Sequence, residues 1–196
     1  MTLRIVALAG SLRRDSLNRR LIAASVPLAP TGMRVEVFDN VTGIPLFNED
    51  LEAEAPAGSG SVAELRRLVA GSDGLLIATP EYNQSIPGVT KNVVDWLSRP
   101  AEGSVLDGRP VAILGATDGP WGTRYAQKEL RHTLTAAGAI VMPQPQLFVA
   151  RAASALGDDG LLVDPTVESR LAEHLAAFER WIVLVGSPRT VAAATA

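Results

Sequence analysis

Residues Gly10-Ser11-Leu12-Arg13-Arg14-Asp15-Ser16-Leu17-Asn18 follow a short apolar run and open a helix-like stretch. A chain that leaves a strand, turns on Gly-Ser and enters a helix directs unpaired backbone N–H groups into one small space. The positive end of the helix dipole points there too. Ser11, Arg13, Ser16 and Asn18 add side-chain donors, so the segment reads as an anion site. The plainer alternative is a helix cap made by Ser16 among ordinary turn residues. Arg14, Arg19 and Arg20 read as a solvated helix start. The loop is neither Gly-x-x-x-x-Gly-Lys-Ser/Thr nor Gly-x-Gly-x-x-Gly, which argues against nucleoside triphosphates and dinucleotides at this position. A terminal phosphate monoester, a compact dianion, suits it better.

Two further segments carry chemistry. Thr79-Pro80-Glu81-Tyr82-Asn83-Gln84-Ser85-Ile86-Pro87-Gly88 stiffens an aromatic ring and polar side chains between prolines. Such a loop lays its backbone along the edge of a flat heterocycle. Glu81 as a general acid lacks a paired carboxylate or His by motif, and Tyr82 as simple loop packing is the competing reading. The third segment is Ala116-Thr117-Asp118-Gly119-Pro120-Trp121-Gly122-Thr123, where Gly119 and Gly122 permit close backbone approach. A turn before a helix accounts for it nearly as well.

The elements that position these segments alternate along the chain. Leu3–Leu8 reads as a strand, Ser16–Leu28 as a helix with Ser16 its N-cap, and Arg34–Phe38 as an edge strand. Residues 40–60 read as a long loop. Ser61–Ala70 is a helix, Gly74–Ala78 a buried strand, Gly88–Ser98 a helix, Pro110–Leu114 a buried strand and Tyr125–Ala137 a helix. Ala139–Met142 starts the last strand, Pro143 and Pro145 interrupt it, and Gln146–Val149 resumes it. The last helix has Asp164 as N-cap and Pro165 at its first position, and it ends at Gly186. This alternation implies an α/β fold, a three-layer sandwich around a five-stranded parallel sheet. In the flavodoxin-like order 2-1-3-4-5 the first, third and fourth strands are neighbours, so the three loops meet on the carboxyl rim where such sheets bind ligands. One domain over residues 1–187 is expected, with 188–196 a disordered tail.

Composition limits the alternatives. The chain has 196 residues, 47% of them hydrophobic and 20% charged, enough for one well-cored domain. A net charge of −3 announces neither nucleic acid nor an anionic membrane. There is no Cys, which removes disulfides, iron–sulfur clusters and thiol chemistry. His132 and His174 fall on separate helices and are expected at helix surfaces, which leaves no His-based metal site. No apolar run reaches a membrane span, and a soluble cytoplasmic protein is the expectation. Redox chemistry, if present, has to come from a cofactor.

The motifs Gly10-Ser11-Leu12-Arg13…Ser16…Asn18 and Pro80-Glu81-Tyr82-Asn83…Ser85…Pro87-Gly88…Lys91-Asn92…Asp95-Trp96…Ser98-Arg99 resemble those of the NAD(P)H-dependent FMN reductases. That family includes bacterial chromate and quinone reductases and small azoreductases. The resemblance implies a flavodoxin-like fold and bound FMN. Carried over by motif, Ser11, Arg13, Ser16, Leu17 and Asn18 would hold the FMN phosphate. Pro80, Glu81, Tyr82 and Asn83 would line the isoalloxazine, largely through backbone groups. Thr117, Asp118, Gly119 and Gly122 would close its other edge. NADPH or NADH would be the electron donor and a quinone, azo compound, chromate or free flavin the acceptor. No side chain is assigned a catalytic role, because the chemistry would take place at flavin N5. Homodimers or homotetramers are also implied. Gln84 stands where chromate-reductase-type members often carry Tyr, and Asp118-Gly119-Pro120-Trp121 departs from the family pattern. Two competing readings use the same fold: a flavodoxin-like electron carrier without NAD(P)H activity, and a flavin-free regulatory or scaffold domain.

Overall fold

The computed structural model describes residues 2–55, 58–100, 103–157 and 162–186. Strands β1 (Leu3–Ala9), β2 (Met33–Val37), β3 (Gly74–Ala78), β4 (Pro110–Ala116) and β5 (Ile140–Val141) lie in the order β2-β1-β3-β4-β5. Every pairing is parallel. A sixth strand, β6 (Leu147–Val149), pairs with the second half of β4, while β5 pairs with its first half. The expected last strand is therefore split at Pro143 and Pro145, which cannot donate to a ladder.

The apolar runs of the sheet are continuous because both faces are covered. Ile5, Ala7 and Ala9 of β1 face one core, together with residues of α1 (Leu17–Ser25) and α6 (Pro165–Val185). Val6 and Leu8 face the other, built with α3 (Gly60–Ala70), α4 (Gly88–Leu97) and α5 (Arg124–Ala136). The flavodoxin-like order expected from the alternation is the one observed.

Helix starts follow their caps. The Ser16 hydroxyl accepts from the Arg19 N–H at 3.3 Å and opens α1. The Asp164 carboxylate accepts from the Thr166 and Val167 N–H groups at 2.8 and 3.3 Å, Pro165 takes the first position of α6, and Gly186 ends it. α1 ends at Ser25 rather than Leu28: Val26 keeps helical backbone and donates to the Ala23 carbonyl, but Pro27 has no N–H to continue the ladder.

Three expectations need correction or bounding. Residues 40–60 are not an unstructured loop: Asn40–Gly43 form a 3-10 turn and Glu49–Glu54 form α2, capped by the Asn48 side chain accepting from Asp50 N–H at 2.9 Å. A six-residue helix is too short to show a hydrophobic period. His174 is buried, not on the surface, because it falls between Leu171 and Phe178 inside the apolar stripe of α6 and its Nδ1 pairs with the Pro145 carbonyl at 2.9 Å. The expected tail, 188–196, lies outside the described residues. Among the described residues no helix is long and apolar enough to cross a membrane, and no cluster of His, Cys, Asp and Glu could hold a metal ion.

Candidate functional site

The carboxyl ends of β1, β3 and β4 open onto a cavity of about 150 Å³. Ser11, Arg13, Ser16, Leu17, Asn18, Pro80, Glu81, Tyr82, Thr117 and Asp118 all line it, as does Ala116. Thus the three segments singled out in the sequence converge. Asn83, Gly119 and Gly122 are in the same loops but not in the lining.

The first wall is the turn into α1. Gly10 N–H donates to the Ala78 carbonyl at 2.8 Å, which carries β1 directly into the turn. A Cβ on Gly10 would fall 2.0 Å from the Thr90 hydroxyl of α4, so only glycine fits there. The buried hydroxyl of Ser11 accepts from Arg13 N–H at 3.4 Å and that of Ser16 from Arg19 N–H, so each keeps its O–H proton for another acceptor. The N–H groups of Leu17 and Asn18, at the first two positions of α1, have no intrahelical partner. Arg13 is exposed at the cavity wall. Arg19 and Arg20 turn elsewhere, to Asp39 and to the Gly157 carbonyl.

Asn18 has its side chain committed within the protein. Its Nδ2 donates to the Ala116 carbonyl and its Oδ1 accepts from the Ala116 N–H, both at 2.9 Å. What Asn18 offers the cavity is therefore backbone N–H rather than its amide.

The second wall is a tight hairpin. Tyr82 and Ser85 exchange two backbone hydrogen bonds of 3.0 Å, and Asn83 and Gln84 between them have φ of 51° and 62°. Two central residues with positive φ make the turn type that matches strand twist, and Asn tolerates it best of the non-glycine residues. The Glu81 carboxylate is not free: its Oε2 accepts from the Tyr125 and Ala126 N–H groups at 2.8 and 3.1 Å. It caps α5, whose own N-cap residue Thr123 makes no side-chain cap. The negative charge also offsets the dipole of that helix.

The third wall is held from behind. Thr117 N–H donates to Val149 carbonyl, Ala152 N–H to Thr117 carbonyl and Arg151 N–H to Gly119 carbonyl, at 3.0–3.2 Å. The Asp118 carboxylate accepts from Ala153 N–H at 2.8 Å. Gly122 has φ of 69°, and a Cβ there would meet Phe148 at 2.8 Å. Gly122 shapes the loop rather than touching the cavity.

Residues 91–99 of the second motif lie outside the cavity. The Asn92 amide bridges the Phe47 N–H and the Pro45 carbonyl, at 2.7 and 2.8 Å, and the Trp96 indole N–H reaches the same carbonyl at 2.9 Å. The Arg99 Nε donates to both oxygens of buried Glu52, at 3.1 and 3.0 Å. These side chains fasten the 44–54 segment to α4. The sequence reading missed this role, and Glu81 as the cap of α5 also escaped it, since neither partner lies nearby in the chain.

The donor set fits a phosphate monoester: two buried hydroxyls with protons to give, a guanidinium at the edge and the amino end of α1. Pro80 and Tyr82 line the same cavity from the second loop.

The family model described as NADPH-dependent FMN reductase matches residues 3–154. A 2-hydroxy-1,4-benzoquinone reductase of a Burkholderia species is 36% identical over 93% of this chain and 97% of its own. An NAD(P)H-dependent FMN reductase of Pseudomonas aeruginosa is 38% identical over 92% of this chain and 95% of its own. Among solved structures, a flavoenzyme NAD(P)H:(acceptor) oxidoreductase of Paracoccus denitrificans superimposes with a TM-score of 0.83 at 34% identity, covering 92% of this chain and 97% of that one.

Proposed function

Because this chain belongs to the NADPH-dependent FMN reductase family, we propose that it holds FMN in the cavity at the ends of β1, β3 and β4 and passes two electrons from NADPH or NADH to a small acceptor. The observation that carries this reading is the convergence of three separate loops on one cavity whose donors suit a phosphate monoester. FMN, when bound, supplies the hydride and electron chemistry. The protein's part is binding and orientation. Ser11, Ser16 and Arg13, with the N–H groups of Leu17 and Asn18, hold the phosphate. Pro80, Glu81 and Tyr82 face the ring system largely through backbone, in the hairpin that Asn83 turns, and Thr117 and Asp118 bound its other side, in the loop that Gly119 and Gly122 shape. Glu81 does not serve as an acid, since its carboxylate is engaged with α5.

The relatives named as quinone reductases favour a quinone as acceptor. With this reading go one FMN-binding domain over residues 1–187, a cytoplasmic location and a homodimer or homotetramer, as the family resemblance implies. A flavodoxin-like carrier is the competing reading, since flavodoxin 1 of Bacillus cereus shares the fold at a TM-score of 0.56 and 16% identity.

The visible absorption spectrum of the purified protein, before and after anaerobic NADPH and then NADH, tests the proposal. Flavin bands that bleach support the reductase. Bands that survive both nucleotides favour the carrier. A colourless protein that ignores added FMN overturns both.

A further inference from the structure

Several of the large apolar side chains that remain in water belong to segments bounding the cavity. Leu12 is 55% exposed, Tyr82 49%, Trp121 69% and Tyr125 55%. Trp121 lies between two anchor points of the site. Three residues before it is Asp118, in the lining, and four after it is Tyr125, whose N–H is 2.8 Å from the carboxylate of Glu81, also in the lining. The loop that carries Trp121 is fixed at both ends. Thr117, Asp118 and Gly119 bond to residues 149–153, and buried Thr123 accepts from the Gln127 amide at 3.0 Å. An indole left in water on a held loop is a ready-made stacking surface, because little side-chain or loop entropy is lost when a ring settles on it.

Charge narrows the class of occupant. The carboxylates of this mouth, Glu81 and Asp118, are both engaged by backbone N–H groups. The nearby Arg124 guanidinium is placed over the Phe148 ring, 5.4 Å from its centroid. Arg13, on the cavity wall, sits beside the hydroxyls of Ser11 and Ser16. The charged groups on the Trp121 side are thus engaged while the indole itself stays exposed, which leaves a surface suited to a neutral planar ring.

We propose that Trp121 is a specificity-determining residue that stacks on a neutral planar acceptor of the quinone class as it enters the site. The inference rests on the reductase reading above. It is tested on the full-length, FMN-loaded protein and its W121A and W121F variants, with NADPH as donor and two acceptors: menadione, neutral and planar, and ferricyanide, an inorganic anion. W121A is expected to raise the KM for menadione about 3- to 10-fold, the range of one aromatic contact. W121F should restore most of it, and the ferricyanide KM and the affinity for FMN should not move. Independently of turnover, menadione added without donor should quench tryptophan fluorescence saturably in the wild type and much less in W121F. An unchanged menadione KM, or an equal loss with both acceptors, overturns the proposal. So does a change in sedimentation coefficient on W121A, which would assign the indole to an interface between copies of the chain. If the wild type oxidises neither NADPH nor NADH with either acceptor, the reductase reading fails, and absent quenching then removes the stacking site as well.

Discussion

Asn18 and Ala116 are joined by two hydrogen bonds of 2.9 Å, the side-chain amide of one matching the peptide N–H and C=O of the other. The arrangement imitates a ladder pair. β3 pairs with β4 as far as Ala78 opposite Leu114, the last rung is the Thr79 N–H on the Leu114 carbonyl at 3.0 Å, and beyond it the chain leaves the sheet at Pro80. Asn18 supplies the missing partner from the start of α1. It ties the Gly10–Ser16 turn to the end of the central strand while both sit against the cavity.

Asn18→Leu should therefore destabilise the fold, by about 2–4 kcal/mol, because it leaves a buried N–H and a buried C=O unpaired. Asn18→Asp keeps an acceptor for the Ala116 N–H but sets a carboxylate against the Ala116 carbonyl, so it should also lose stability. Urea unfolding of the three proteins decides this. A loss below half a kcal/mol for Asn18→Leu would mean that water replaces the pair.

Arg13→Ala combined with Ser16→Ala tests the phosphate site. A charge-assisted bond is worth roughly 1.5–3 kcal/mol, and exposure puts Arg13 at the low end of that range. The double variant should weaken FMN binding by at least about tenfold, as read from flavin fluorescence titration. Wild-type affinity would place the phosphate elsewhere.

Glu81→Ala removes two hydrogen bonds and a favourable charge from the start of α5, a loss of about 1–2 kcal/mol. Glu81→Gln retains an acceptor oxygen and should lose less. Thermal unfolding ranks the three proteins. If Gln and Ala behave alike, the charge rather than the hydrogen bonds is what α5 needs.

Burial holds the His174 imidazole neutral, its pKa lowered to about 4, with the nearby Arg131 pushing the same way and the bond to Pro145 opposing. The unfolded chain binds a proton near pH 6.5, while the folded one does so only near 4. Between those values the unfolded state holds more protons, so stability rises with pH across that window and is fully present above it. Acidification from 6.5 toward 4 should cost up to about 3 kcal/mol from this residue. Urea midpoints measured at intervals across the window should lose most of that slope in His174→Gln.

Strand order, the sheet's buried runs and the caps of α1 and α6 were legible because each rests on local chemistry: apolar runs of strand length, Ser16, Asp164 and Pro165. The convergence of the Ser11, Pro80 and Thr117 loops followed from topology alone. What could not be read joins residues distant in the chain. Glu81 caps a helix 44 positions away, and Asn18 meets Ala116 across 98. His174 looked like a surface residue because the depth of an apolar stripe depends on what packs over it, here the broken strand at Pro145. Asn83, Gly119 and Gly122, expected in the site by type and loop, belong to the loops that bound the cavity without lining it.

The fastening of residues 44–54 by Asn92, Trp96 and Arg99 bears on how chains of this kind are recognised. The stretch from Lys91 to Arg99 is among the motifs by which the sequence is identified, yet none of its residues lines the cavity. It is a signature of architecture. A descendant could keep it intact while abandoning the cofactor, and a search keyed to it would still return that descendant. The segments that line the cavity are the turn at Ser11–Ser16 and the hairpin at Pro80–Tyr82, and under the proposed function those positions are where a loss of flavin chemistry would first be written.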